Sequence, residues 1–256
     1  MELRLHHFAI GIFICILACA GCNPNDRNTL TIATSANMQF TMEALIEAFS
    51  EETGIACRPV VSSSGKLTAQ ITEGAPYDIL VSADLKYPAK LYQQGLTTGP
   101  PEIYAYGKLV LWRRYSNAAP TLELLMSDTI RHIAIANPRT APYGIATLEF
   151  LKHEGLYGHV VNKLVYGESL AQANQFVLSG AADAGFTSKS VVLSKVMQGK
   201  ANWVELNPTS YDPIAQGIVL IKGQQRHVKH AAAFRDFLFS EKGKAILDKF
   251  GYTVPD

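Results

Sequence analysis

One arrangement recurs along this chain and limits its fold more than any other feature: an apolar strand, a turn of small polar residues, then an amphipathic helix. Leu30-Thr31-Ile32-Ala33 runs into Thr34-Ser35-Ala36-Asn37, and a helix follows with Met42, Leu45, Ile46 and Phe49 on one face, closed by Gly54. Cys57 to Val61 runs into Ser62-Ser63-Ser64-Gly65, and the next helix places Leu67 and Ile71 one turn apart before Gly74. Asp78 to Asp84 reads as a third strand. Successive units of this kind predict a parallel, doubly wound sheet, in which ligands sit beyond the C-terminal strand ends.

The second half repeats the logic without repeating the sequence. Gly107 to Trp112 reads as one strong strand, followed by irregular residues to Pro120 and a short helix from Leu122 to Met126. His132 to Ala136 is a strand, Thr140-Ala141-Pro142-Tyr143-Gly144 its turn, and Ile145, Leu148 and Leu151 mark the next helix. Lys163 to Tyr166 leads through Gly167-Glu168-Ser169 to a helix lined by Leu170, Ala173 and Val177. Ala184 to Thr187 is a strand running into Ser188. A strand within Asp212 to Ile221 and one last helix, from Phe234 through Phe250 to Gly251, arrive after this second unit. Their return to the first unit predicts a discontinuous lobe 1 (29–107 and 210–256), a lobe 2 (108–209) and two crossings that form a hinge beside a cleft.

The N-terminus stands apart from this pattern. Residues 1–22 carry Arg4, an apolar run from Phe8 to Leu17 and a small-residue site at Ala18-Cys19-Ala20, which together read as an export signal. Ala20-Gly21-Cys22 also resembles the end of a lipoprotein signal, so cleavage after Ala20 and anchoring through lipidated Cys22 both stand open. Residues 23–28 then form a tether. Three of four cysteines lie in this segment, leaving Cys57 as an inert thiol in an apolar strand, with no internal disulfide. With 23 basic and 22 acidic residues the net charge is +1, so no global field favours nucleic acid.

Four junctions thus share one design: 34–37, 62–65, 140–144 and 167–170. Each opens a helix, where free backbone N–H groups and a partial positive charge suit an anion. Serine hydroxyls add donors without charge. Gly65-Lys66 looks like the end of a nucleotide P-loop, but Val60 and Leu67 stand where that motif needs Gly and Ser or Thr. A plain N-cap role for the serines is the competing reading. The histidines, among them His227, lack metal or nucleophile–base spacing and read as solvated surface, so no catalytic set is present.

The motifs then resemble, in order and spacing, the periplasmic molybdate-binding proteins of bacterial ABC importers. The residues that carry the resemblance are Ala36-Asn37, Ser62-Ser63-Ser64-Gly65, Gly74 to Asp78 with Ser82-Ala83-Asp84, Gly107 to Trp112, Asn137-Pro138 with Ala141 to Gly144, Gly180 to Asp183, and Phe250-Gly251-Tyr252. The resemblance implies an α/β, two-lobed periplasmic-binding-protein fold of the cluster type (type II), each lobe a mostly parallel sheet flanked by helices. It implies a non-enzymatic, monomeric receptor in the periplasm that takes molybdate or tungstate, needs no cofactor, and delivers to a membrane permease. It maps ligand roles onto Asn37 (side-chain amide and N–H), Ser64 (hydroxyl and N–H), and the backbone N–H groups of Tyr143 and Leu170. These would touch the oxyanion's oxygens, not its metal centre. Some members add a Tyr hydroxyl where this chain has Ser188. Lys66 falls after the ligand turn, facing solvent. Three alternatives are the same fold binding sulfate, phosphate or an organic anion, favoured if Glu168 enters the cleft; a transcription-factor effector domain, opposed by the export segment; and an enzyme.

Overall fold

The computed structural model describes residues 29–114, 118–223 and 225–255. The export segment 1–22, with Cys15, Cys19 and Cys22, and the tether 23–28 lie outside the described residues. Among the described residues, no helix is long and apolar enough to cross a membrane.

The strands are β1 (Leu30–Ser35), β2 (Cys57–Ser62), β3 (Ile79–Val81), β4 (Glu102–Gly107), β5 (Leu109–Arg114), β6 (Ile133–Ala136), β7 (Leu164–Gly167), β8 (Ala184–Ser188), β9 (Ala201–Glu205) and β10 (Ile214–Leu220). They form two sheets of matching order, β2-β1-β3-β10-β4 and β7-β6-β8-β5-β9. Each sheet is parallel apart from one reversed strand: β10 is antiparallel to β3 and β4, and β5 to β8 and β9. Each reversed strand enters from the other lobe. β5 follows β4 with only Lys108 between, and β10 follows β9.

Helices cover both faces of each sheet, which is why β1 is buried along its whole length and shows no alternation. In lobe 1, Met42, Leu45 and Phe49 of α1 (Gln39–Thr53) pack on Leu30, Ile32 and Val81. On the other face lie Leu67 and Ile71 of α2 (Ser64–Thr72) and Leu91 of α3 (Lys86–Gln93). Lobe 2 follows α4 (Leu122–Met126) with α5 (Pro142–His153), whose Tyr143, Phe150 and Leu151 cover one face of its sheet. After α6 (Tyr157–Val160), α7 (Leu170–Ser179) covers the other face with Ala173 and Val177, and α8 (Lys189–Val192) adds Val191 and Val192.

Several local expectations change. The run from Gly107 to Trp112 is not one strand: Gly107 ends its pairing with β10 at Ile214, while Leu109 begins pairing with β8 at Ser188 in the other sheet. A Cβ on Gly107 would overlap the Tyr143 hydroxyl, so the crossing needs a bare Cα. The buried stripe of α5 is Tyr143, Ala146, Thr147, Phe150 and Leu151, with Ile145 and Leu148 only half-buried beside it. The last helix is two, α9 (Gln225–Phe239) and α10 (Glu241–Lys249), because Ser240 is extended and caps α10 by accepting from the Gly243 N–H at 3.2 Å. Cys57 is half-buried rather than sealed, although burial still pushes its thiol up to about 12, which keeps it protonated and unreactive. His227 is not solvated surface: its Nδ1 lies 3.0 Å from Asp78 Oδ1, both side chains mostly buried.

Candidate functional site

The four junctions converge. Ser35, Ala36, Asn37, Ser63, Ser64 and Ala83 of lobe 1 face Ala141, Pro142, Tyr143 and Leu170 of lobe 2 across a small cavity of about 10 Å³. That is near the minimum that holds one water, so a tetrahedral oxyanion requires the walls to part and close again around it. No wall residue carries a charge. Larger grooves open elsewhere, one of about 570 Å³ around Asp78 and His227. That groove lies at the opposite end of β1 and β3, away from the junctions.

The sequence builds the wall from helix starts. Ser64 is the first residue of α2 and Leu170 the first of α7. In α5 the first residue is Pro142, which has no N–H, so Tyr143 supplies that helix's first donor. N–H groups at these positions have no acceptor within their own helix. The Ser64 hydroxyl is fully buried and accepts from the Ala83 N–H at 3.0 Å, which leaves its own proton free to donate.

Asn37 occupies a different position from the one expected of its side chain. Its Nδ2 donates to Gln216 Oε1 at 2.9 Å and to the Tyr252 hydroxyl at 3.0 Å, both within lobe 1. Its carbonyl accepts from Ser190 Oγ of lobe 2 at 2.8 Å and from the Tyr252 hydroxyl at 3.2 Å. The amide nitrogen is therefore committed to the protein, and Asn37 becomes a knot that ties the lobes together. Ser188 is not part of the wall. It sits at the start of α8 with its Oγ held 2.8 Å from Ser190 Oγ, fully buried behind the cavity. Tyr143 is also buried, its hydroxyl accepting from Gln216 Nε2 at 3.3 Å. Burial, with Tyr252 and Tyr211 nearby, raises its phenol well above the usual range, so it stays neutral.

The rim carries further contacts between lobes. The Gly65 N–H donates to the Thr140 carbonyl at 3.0 Å, and the Tyr87 hydroxyl to the Arg139 carbonyl at 3.1 Å. A Cβ on Gly65 would sit 2.7 Å from Tyr87 Oη and 3.1 Å from Thr140 Cα, so glycine is what permits this approach. Lys66 does not simply face solvent: its Nζ lies 3.0 Å from Glu168 Oε2, bridging the two lobes. Glu168 is thereby held at the rim and out of the cavity wall.

Sequence reasoning gave no site role to Gln216, Tyr252 and Ser190, although Tyr252 belongs to one of the motifs that carry the resemblance. Gln216 had a readable signal, as a polar residue inside an apolar strand whose burial demands partners. Nothing local in the sequence gave Tyr252 or Ser190 this role, because it comes from meeting Asn37 across 215 and 153 residues of chain.

The model of the bacterial extracellular solute-binding proteins matches residues 30–253. Molybdate-binding protein ModA of Rhodobacter capsulatus is 34% identical over 223 residues, 87% of each chain. ModA of Azotobacter vinelandii is 32% identical over 258 residues, 99% of this chain and 100% of the relative. The solved periplasmic molybdate-binding protein of Azotobacter vinelandii superposes with a TM-score of 0.81 at 35% identity, covering 89% of this chain and 100% of that one.

Proposed function

This chain belongs to the bacterial extracellular solute-binding protein family, and from that premise we propose that it captures molybdate between its lobes and hands it to an ABC permease. Tungstate, of like shape and charge, is taken by the same site. The observation that carries this reading is the cavity itself: four strand-to-helix junctions, two per lobe, meet in a wall that is rich in donors and bears no charge. The N–H groups of Asn37, Ser64, Tyr143 and Leu170 and the Ser64 hydroxyl hold the dianion's oxygens. Each charge-assisted bond contributes about 1.5–3 kcal/mol.

The lobes hinge at the crossings near Lys108 and between β9 and β10, and contacts such as Ser190 to Asn37 form as they close. The permease triggers release by favouring the open form, since a ligand shifts only the equilibrium it binds differentially. The protein works as a monomer in the periplasm, released after Ala20 or anchored through Cys22; the mass of the mature N-terminus decides between these. It is a receptor and not an enzyme, and the His227–Asp78 pair has no place in the site.

Calorimetric titration of the mature chain with molybdate, tungstate and sulfate tests the reading. Tight binding of the first two and weak binding of sulfate is expected, because the three share charge and shape but not size. Equal affinity for sulfate would refute it. A phosphate receptor needs an acceptor for the anion's proton, and Glu168, the carboxylate at these junctions, is engaged by Lys66 on the rim.

A further inference from the structure

We infer that the hydroxyls of Ser35 and Ser63, which no ligand role has so far included, are two further donors to the bound oxyanion. Both serines line the cavity and are almost fully buried, 2% and 3% exposed. Neither Oγ has a hydrogen-bond partner. Of the buried hydroxyls left unpartnered among the described residues, these two belong to the cavity wall. A buried hydroxyl without a partner is costly and rare, and calls for a reason.

Their position in the chain sharpens the point. Ser35 precedes the short 3-10 turn Ala36–Met38 with φ −64° and ψ 147°, and Ser63 precedes α2 with φ −74° and ψ 147°. These are N-cap positions with N-cap backbone, occupied by a preferred cap residue. Yet neither side chain caps its helix. The same residue type caps normally where it does not line the cavity: Ser169, beside the wall residue Leu170 but not itself in the wall, accepts from the Gln172 N–H, and Ser240, remote from the cavity, from the Gly243 N–H. At the cavity the serines leave the helix N–H groups open and keep their own O–H groups unspent. A donor-bearing wall of this kind matches a fully deprotonated tetrahedral oxyanion, whose oxygens only accept.

The inference rests on the oxyanion reading above, and the test separates the two. Ser35→Ala and Ser63→Ala are made singly in the mature chain, with Ser240→Ala as a capping control. Each is titrated with sodium molybdate and sodium tungstate, and its ligand-free melting temperature is measured. The expected result is about a tenfold loss of affinity per cavity serine, as for one hydrogen bond to a charged group, with a ligand-free melting temperature equal to or above wild type. Ser240→Ala should show the reverse: unchanged affinity and a lower melting temperature. Affinity within twofold of wild type in both cavity variants overturns the inference while leaving the oxyanion reading intact. So does a cavity variant that melts early or fails to fold, since that marks a structural hydroxyl. Wild-type protein that binds neither anion overturns the oxyanion reading itself.

Discussion

Replacing Tyr252 by Phe probes the knot around Asn37. The ring stays and fills the same space; only the hydroxyl goes. That oxygen accepts from Asn37 Nδ2 at 3.0 Å and lies within hydrogen-bond reach of the Asn37 carbonyl at 3.2 Å and Ser190 Oγ at 3.0 Å. Each partner keeps a second contact: Nδ2 to Gln216, the carbonyl to Ser190, and Ser190 to Ser188. No buried group is left orphaned, so the cost is that of lost bonds, about 0.5–1.5 kcal/mol each, without the larger desolvation penalty. One bond lies inside lobe 1 and acts in the open and closed forms alike; the contact with Ser190 exists only when the lobes meet. Tyr252→Phe should therefore lower ligand-free stability by about 1 kcal/mol, read from chemical denaturation, and weaken molybdate binding by about five- to tenfold, read by calorimetry. Ser190→Ala should weaken binding too, and because it also takes away a partner of the buried Ser188 Oγ within lobe 2, it should lower ligand-free stability by about 1–3 kcal/mol. The double variant should show coupling of about 1 kcal/mol in binding. If Tyr252→Phe leaves both quantities unchanged, or if the two substitutions are additive, the knot does not hold the lobes and the argument fails.

Other outcomes follow from the same geometry. Lys66→Ala removes an ion pair whose side chains are 53% and 73% exposed, so affinity should fall by less than about fivefold, and the difference should shrink as salt is added to the titration. Gly107→Ala drives a Cβ into Tyr143 Oη and Gln216 Nε2; a loss of about 1–3 kcal/mol in denaturant stability is expected, and a neutral result would mean the crossing is looser than described. Ser64→Ala strands the Ala83 N–H, so it should lower ligand-free stability as well as affinity. Asn37→Ala, which removes the Nδ2 bonds to Gln216 and Tyr252, should likewise lower ligand-free stability. Burial pushes the Tyr252 phenol up to about 12, while in the unfolded chain it titrates near 10. The group is protonated in both states below about pH 10. Above that the unfolded state loses its proton first, so Tyr252 should contribute about 3 kcal/mol to a fall in stability between pH 10 and 12, to which the buried phenols of Tyr104 and Tyr143, raised in the same direction, add. Tyr252→Phe should make this decline shallower by about Tyr252's share in pH-dependent denaturation.

Much of the fold was legible because it rests on short-range rules. Gly54 and Gly180 end their helices at φ 71° and 80°, and the apolar spacing of Met42, Leu45 and Phe49 or of Leu170, Ala173 and Val177 marks the buried faces directly. The edge strands β2 and β7 were legible because a polar turn and an amphipathic helix follow them; β4 and β9, the other two edges, are followed by no such unit and escaped notice. The division at Lys108 also escaped, because strand pairing partners decide it and Gly107 to Trp112 has no local break in character.

The amino-acid sequence alone determined the repeated strand, polar turn and helix, and with it the location of four donor-rich helix starts at one end of parallel strands. Helix N-termini and serine-rich turns are local chemistry, written in adjacent residues. Only the tertiary structure decided what each donor does. It turned the Asn37 amide inward to Gln216 and Tyr252, set Ser188 behind the wall, drew Lys66 and Glu168 together over the rim, and left the Ser35 and Ser63 hydroxyls facing the cavity unspent. The roles of Asn37 and Lys66 depend on partners that arrive from 100 or more residues away, and hydrogen bonds of a few ångströms' reach are settled by that arrival rather than by residue type.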